Sequence, residues 1–337
     1  MTTMNRRSVL QGFGAAAFGG LTVLRPGAAF AADAVAVQLS WVPSVSFAGE
    51  AIAQTAGLYA AEGLEVDLRS GGPDVDPTAL TVARQCQIGL NGLIWVAQAV
   101  TNGAPVKIVA ATFQKDPTAI TSLADKPIRT PQDMVGKRIG VQSDSLTMVN
   151  AVMALNGVDP SKVTIVPVSF DPAPLVAGEV DGFVSFITYQ PVALEMQGIK
   201  TESMLLADFG LQQFTDLFMV HQDTLADPAQ RATLVRVLRA TVKGWQKATD
   251  DPQAGVDAVM ALWGAEMQLN RQSELGSAKV QVPHILTDET KANGLLTMSE
   301  AAIAANIATM KALGITVSRD LFVTDVMQEV FNGATRL

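Results

Sequence analysis

From Ala34 onward the chain alternates two hydrophobic rhythms. Short runs rich in Val, Ile and Leu are separated by stretches whose apolar positions recur at helical spacing. The order predicts a strand at AVAVQLSW (34–41), a helix from Gly49 to Ala61, a strand at LEVDLRS (64–70) and a helix from Pro77 to Arg84. A strand at QIGLNG (87–92), a helix from Ile94 to Asn102 and a strand at VKIVAAT (106–112) follow. FQKDPTAITSLADKPIRTPQD (113–133) then reads as a polar link, after which the same order returns. KRIGVQS, KVTIVPVS, DGFVSF and TESMLLAD read as strands, with helices at 147–156, 174–178 and 191–197 between them. DLFMVH (216–221) reads as one more strand, and the remainder as mainly helical, including 228–249 and 299–313. In the second of these, Ile303, Ile307, Met310 and Leu313 keep helical spacing.

Strand–helix alternation of this kind favours α/β lobes, each a mainly parallel sheet flanked by helices. Lobe 1 is expected to comprise 33–115 and 216–337, and lobe 2 116–215. The two chain crossings between them form a hinge beside a ligand cleft, which opens where strand carboxyl ends converge.

Composition narrows the class. The 337 residues carry a net charge of −8 and one cysteine, Cys86, so no intramolecular disulfide is expected. The first residues invert the acidic balance: Arg6 and Arg7 precede an apolar stretch from Val9 to Leu24 and small residues at Ala29-Phe30-Ala31. That is the layout of an export signal, and the Arg pair followed by Ser8, Val9 and Leu10 resembles a twin-arginine signal. Cleavage after Ala31 removes Arg6, Arg7 and Arg25 and takes the charge to about −11, which argues against nucleic acid or an anionic membrane surface as partner. A periplasmic location is expected.

Four segments carry a resemblance: LSWVPSVSFAGEAIAQTAGLYAAEGLEV, SGGPDVDP, FQKDPTAITSLADKPIRTPQDMVGKRIGVQ and GEVDGFVSFITYQPVAL. Together, over about Val37 to Val220, they resemble ABC-importer solute-binding proteins of the family covering nitrate, alkanesulfonates, thiamine pyrimidine precursors and riboflavin. The resemblance implies a two-lobed type II periplasmic binding protein fold and a non-catalytic monomer without cofactor or metal. It also implies a small-molecule ligand, passed to an ABC permease in the inner membrane. The branch that binds aromatic heterocycles is similar in its W-x-P-x-x-x-[HF]-x-G loop, here Trp41, Pro43, Phe47 and Gly49, and its G-G-P-D turn, here Gly71 to Asp74. Thiamine-precursor binders typically carry Asn and His where this chain has Ser44 and Phe47, which moves weight towards flavin-like ligands.

The candidate ligand residues all follow strands. Trp41 and Phe47 offer aromatic faces from lobe 1, and Tyr189, with Phe186 and Gln190 beside it, offers one from lobe 2. Gly72 allows close backbone approach, and Asp74 accepts from a ring N–H or hydroxyl, although Asp74 or Asp76 also suits a helix cap. Asn91, Gln142 and Ser143 supply short polar groups at equivalent strand ends. An alternative ligand is an alkanesulfonate, nitrate or other small oxyanion held by helix N-termini and serines, against which the carboxylate of Asp74 counts. A thiamine-pyrimidine synthase-like enzyme is the remote alternative: Phe47 replaces the pocket His of those proteins, Cys86 is solitary, and His221 and His284 have no metal-ligand spacing.

Overall fold

The computed structural model of the protein describes residues 32–143 and 145–337; the expected signal at 1–31 and Asp144 lie outside the described residues. The chain begins with β1 (Asp33–Gln38), α1 (Ala48–Thr55), α2 (Leu58–Ala61), β2 (Leu64–Arg69), α3 (Pro77–Val82), β3 (Ile88–Asn91), α4 (Leu93–Thr101) and β4 (Val106–Phe113). The helix expected from Gly49 to Ala61 is two helices, divided at Gly57, whose φ of +68° no helix accommodates. After the first crossing come β5 (Thr118–Leu123), β6 (Arg138–Val141), α5 (Leu146–Leu155), β7 (Thr164–Pro167), α6 (Ala173–Val176), β8 (Gly182–Phe186), α7 (Gln190–Met196) and β9 (Thr201–Leu205). The chain returns through β10 (Thr215–His221) and ends in α8 (Gln222–Ala226), α9 (Pro228–Asp250), α10 (Pro252–Trp263), α11 (Arg271–Ile285), α12 (Asp288–Asn293), α13 (Glu300–Ala312) and α14 (Asp325–Phe331).

The strand β5 corrects the reading of 113–133 as a polar link. Its Thr118, Thr121 and Ser122 look solvated in the sequence yet are buried, and the hydroxyls of Thr121 and Ser122 find partners there, that of Ser122 accepting from Ile128 N at 2.9 Å. Thr121 Oγ1 pairs with Ser185 Oγ at 2.6 Å and Ser203 Oγ at 2.8 Å, and β-branched threonine suits a strand backbone.

The strands form two five-stranded sheets of matching order, β2-β1-β3-β10-β4 and β7-β6-β8-β5-β9. In each, four strands run in one direction and one is inserted antiparallel, so the sheets are mainly parallel with a single reversed strand. The inserted antiparallel strands are β5 and β10, the strands that follow the two crossings. Each therefore begins at the sheet edge where its parallel neighbours end, so Asp116 and Asp216 share an edge with the strand-end loops.

One core cluster fills lobe 1 between the sheet, α1, α9 and α10; a second runs from Leu93 and Ile108 through Phe214 and Ile303 to Ile139 and Val149 of the other sheet. Helix α9 starts at Asp227, whose side chain accepts from Ala229 N and Gln230 N, with Pro228 at the first position. It crosses α1 in near backbone contact: a Cβ on Gly49 would fall inside the indole of Trp245, and one on Gly244 against the Gly49 carbonyl. No helix among the described residues is long and apolar enough to cross a membrane.

Candidate functional site

The floor of the site is laid by backbone. The Gln38 side-chain Nε2 donates to Ser70 O at 3.0 Å, and Gly71 N donates to Trp41 O at 3.1 Å. Gly71 is so close to the first loop that a Cβ would lie 2.6 Å from Trp41 N, which excludes a side chain there. The exits of β1 and β2 are thus fixed to one another, and Trp41 stands at a defined height above them.

Beneath Trp41 lies a buried carboxylate. Asp216 is the second residue of β10, with φ +50°, and is 6% exposed; Ser40 Oγ donates to its Oδ1. Burial pushes the Asp216 carboxyl up to about 7, against the pull of Ser40 and with the charge of Asp116 adding to the rise. Asp116, at the first crossing, is satisfied: it accepts from Thr118 N at 2.8 Å, Gln213 Nε2 at 3.0 Å and Thr215 Oγ1. A third carboxyl, Glu50 in the first turn of α1, receives Trp245 Nε1 at 3.4 Å while its Oε2 is buried without a partner. Burial pushes Glu50 up to about 8, and the neighbouring Asp216 charge contributes.

The walls are aromatic. Among the described residues the exposed aromatic side chains are Trp41, Phe170, Phe186 and Tyr189, at 37%, 38%, 37% and 55% exposure, and each lies at or just beyond the carboxyl end of β1, β7 or β8. Trp41 of one lobe meets Phe170 of the other edge-on, ring centroids 5.0 Å apart at 65°. Gln190 braces this wall: its Oε1 accepts from Phe186 N at 2.9 Å. Phe170 and Tyr189, with Pro172, Ala193 and Gln197, also line a hollow of about 630 Å³ on lobe 2. Among the described residues the exposed aromatics thus gather at converging strand ends.

Residues 44–255 match the NMT1/THI5-like family, well over half of the chain. The chain belongs to the NMT1/THI5-like family. It is 23% identical over 234 residues to the formylaminopyrimidine-binding protein of Halalkalibacterium halodurans, covering 68% of this chain and 71% of that one. It is 26% identical over 226 residues to the 4-amino-5-hydroxymethyl-2-methylpyrimidine phosphate synthase of Legionella pneumophila, covering 65% and 70%. It is 25% identical over 255 residues to the riboflavin-binding protein RibY of Chloroflexus aurantiacus, covering 73% and 69%. The fold is similar to that of the periplasmic aliphatic sulphonate binding protein SsuA from Escherichia coli, with a TM-score of 0.66, 14% identity and coverage of 90% and 94%.

Within this family fold the expected site residues separate. Phe47 is a correction: it is 1% exposed, in the 3-10 turn Val45–Phe47, and packs in the lobe 1 core, where its apolar ring is removed from water. Asp74 is exposed, and Asp76 caps α3 by accepting from Thr78 N and Ala79 N. Asn91 is half-buried, donating to Thr78 Oγ1 at 3.0 Å and accepting from Gly92 N at 2.9 Å. Gln142 is buried and ties β6 to its neighbours through Ser169 O at 3.2 Å and Val184 O at 3.1 Å. Gly72 is buried next to Gly71, and Ser143 is exposed beyond β6. Sequence reasoning missed Phe170, Ser40, Asp216 and Glu50. Phe170 carried a usable signal, since it follows β7 as Trp41 follows β1.

The cysteine and the two histidines are held by contacts within the fold. Cys86 is buried against Thr81 at 3.4 Å, and burial pushes its thiol up, which suppresses the thiolate. His284 is buried with Nδ1 3.1 Å from Lys115 O, and His221 ends β10 at the opposite edge from Asp216. No group of three or more His, Cys, Asp or Glu among the described residues is arranged to hold a metal.

Proposed function

We propose that the protein is the periplasmic solute-binding component of an ABC importer. It captures an aromatic heterocycle, riboflavin-like or a thiamine pyrimidine precursor, by closing two lobes around it and presents the closed form to an inner-membrane permease. The observation that carries this reading is the set of four exposed aromatics, contributed by both lobes and confined to strand ends, with Trp41 and Phe170 already in contact. The named activities of the pyrimidine-binding and riboflavin-binding relatives agree with it. A non-catalytic receptor is favoured over a synthase-like enzyme because Phe47 stands where those proteins carry a pocket His and Cys86 is the chain's one cysteine. The strand-end segments 39–47, 70–76, 91–93, 142–145, 169–173 and 187–190 contain no Lys or Arg, which disfavours the oxyanion reading. Export by a twin-arginine signal at 1–31 belongs to the same proposal.

Calorimetry with riboflavin, 4-amino-5-hydroxymethyl-2-methylpyrimidine, taurine and nitrate tests it. An aromatic compound is expected to bind, and Trp41→Ala to cost ~1–3 kcal/mol of its affinity, roughly one to two decades, with the protein still folded. Tight binding of taurine or nitrate with no heat from either aromatic compound sinks the heterocycle reading.

A further inference from the structure

Two of the exposed aromatics touch, and the geometry of their contact gives Phe170 a part different from that of a ligand wall. Trp41 stands on the exit of β1, where its carbonyl accepts from Gly71 N and the side-chain Nε2 of Gln38 holds the neighbouring exit of β2 through Ser70 O. Phe170 stands on the exit of β7, tied within lobe 2 by two buried glutamines. Gln142 Nε2 donates to Ser169 O at 3.2 Å, and Gln190, which accepts from Phe186 N, donates through Nε2 to Phe170 O at 3.5 Å. Asp171 then closes the turn by accepting from Ala173 N at 2.9 Å. Each ring thus stands on backbone fastened inside its own lobe, and the two meet across the gap with centroids 5.0 Å apart at 65°. A flat molecule held between two ring faces needs about 3.5 Å on either side, so its walls lie roughly 7 Å apart and nearly parallel. Trp41 and Phe170 are too close and too steeply inclined for that. The place opposite Trp41 falls instead to Tyr189, the more exposed ring of lobe 2 at 55%.

We infer that Trp41 and Phe170 form a latch between the lobes: their edge-to-face contact is made when the lobes approach and lost when they part, so it favours the closed arrangement whatever the ligand and sets how long a bound molecule stays. This rests on the two-lobed receptor reading and adds to it a residue, Phe170, that acts on closure rather than on the ligand. Rings that remain 37% and 38% exposed separate without emptying a packed core, so the contact is reversible. An aromatic pair of this kind shifts an equilibrium by about two- to tenfold. That is enough to slow escape and too little to hold the lobes shut by itself.

Phe170→Ala removes one half of the latch at an exposed position and is expected to leave the fold intact. In stopped-flow measurements with riboflavin and with 4-amino-5-hydroxymethyl-2-methylpyrimidine, the variant is expected to release each compound about two- to tenfold faster, by the same factor for both, with the association rate unchanged. In a Trp41→Ala background the same substitution is expected to add nothing, because its partner is already gone. Without ligand, small-angle scattering is expected to give Phe170→Ala a larger radius of gyration than the parent. A factor that differs between the two compounds, or an undiminished effect of Phe170→Ala in the Trp41→Ala background, places Phe170 against the ligand and overturns the latch while the receptor stands. Unchanged release rates overturn it as well. If neither compound binds the parent, the heterocycle reading falls and the ligand-free comparison decides the latch alone: equal radii overturn it, and a larger radius for Phe170→Ala supports it.

Discussion

Glu50 offers a direct measure of how dry the base of α1 is. Its carboxyl is 1% exposed, accepts one long hydrogen bond from Trp245, and is pushed by burial from an ordinary 4.5 to about 8. A group whose folded value is raised binds a proton in the native state that the unfolded chain has released, so it lends stability below the unfolded value and loses it as pH rises through the folded one. From pH 6 to 8 the native carboxyl holds close to one proton and the unfolded one close to none, so stability falls by roughly 1.4 kcal/mol per pH unit, or about 2 kcal/mol over the interval once half-titration near 8 is allowed for. Asp216, raised to about 7, contributes in the same direction, while His284, whose value burial lowers, runs the other way below about pH 6.5. Glu50→Gln keeps the acceptor for Trp245 and removes the titration. Its buried amide gains an unpaired N–H, so near pH 6 the variant is expected to be less stable than the parent by about 1–2 kcal/mol. By pH 8 that deficit should vanish or reverse. Urea unfolding of both proteins at pH 6, 7 and 8 reads the difference, in which Asp216 and His284 largely cancel. A constant offset between the two proteins across that range would show that the Glu50 carboxyl is ionised and hydrated, and the reasoning from burial would fall.

Two further outcomes follow from the residues at the start of the chain and from the buried aromatic turn. Changing Arg6 and Arg7 to lysine is expected to leave precursor in the cytoplasm, because a twin-arginine receptor reads that pair; normal export of the variant, followed by cell fractionation, would leave an ordinary secretory signal. Phe47→Ala is expected to cost ~3–5 kcal/mol in urea unfolding, the range for emptying a packed phenylalanine site, while the folded fraction binds ligand as the parent does; a variant of normal stability and weak binding would return Phe47 to the ligand site.

Much of this was legible in the sequence, for identifiable reasons. Strand and helix order follows hydrophobic period, and a tryptophan or tyrosine just after an apolar strand, as at Trp41 and Tyr189, is left near the strand-end opening by chain direction alone. What failed needed knowledge of three-dimensional neighbours. Strand β5 was missed because Thr118, Thr121 and Ser122 read as polar until Thr121 is seen to be satisfied by Ser185 and Ser203, and Ser122 by Ile128 N. Phe47 was misjudged because the facing of a single 3-10 turn follows no period. Asp216 looked like an ordinary charged strand start. Only the antiparallel insertion of β10 between β3 and β4 turns that start towards Ser40 and Trp41. Glu50, likewise, sits on the exposed-looking first turn of a helix and is buried only because Gly49 and Gly244 let α9 close over it.

The C-terminal helices, which carried no usable motif, supply a means of testing lobe closure apart from ligand contact. Helix α11 is gripped by lobe 1: Glu274 accepts from Val45 N at 2.7 Å, and Gln281 donates to Val45 O at 2.9 Å. Near its carboxyl end the His284 carbonyl receives Gln114 N and Lys115 N at the first crossing. The same helix presents Gly276 to α7 of lobe 2, where a Cβ would lie 2.6 Å from Val192 Cγ1. A side chain at 276 therefore works as a wedge between the lobes, in a helix that leucine suits better than glycine. Gly276→Leu is expected to keep the fold and to lower the fraction of closed protein. Apparent affinity falls in proportion to that fraction, so a tenfold loss of the closed form weakens binding tenfold, about 1.4 kcal/mol, with every ligand contact intact. Small-angle scattering separates this from a contact effect. The parent should contract when ligand is added, and the variant should start larger and contract only at higher ligand concentration. If Gly276→Leu binds and scatters as the parent does, α7 and α11 yield to the wedge at no cost, and closure is not limited at this contact.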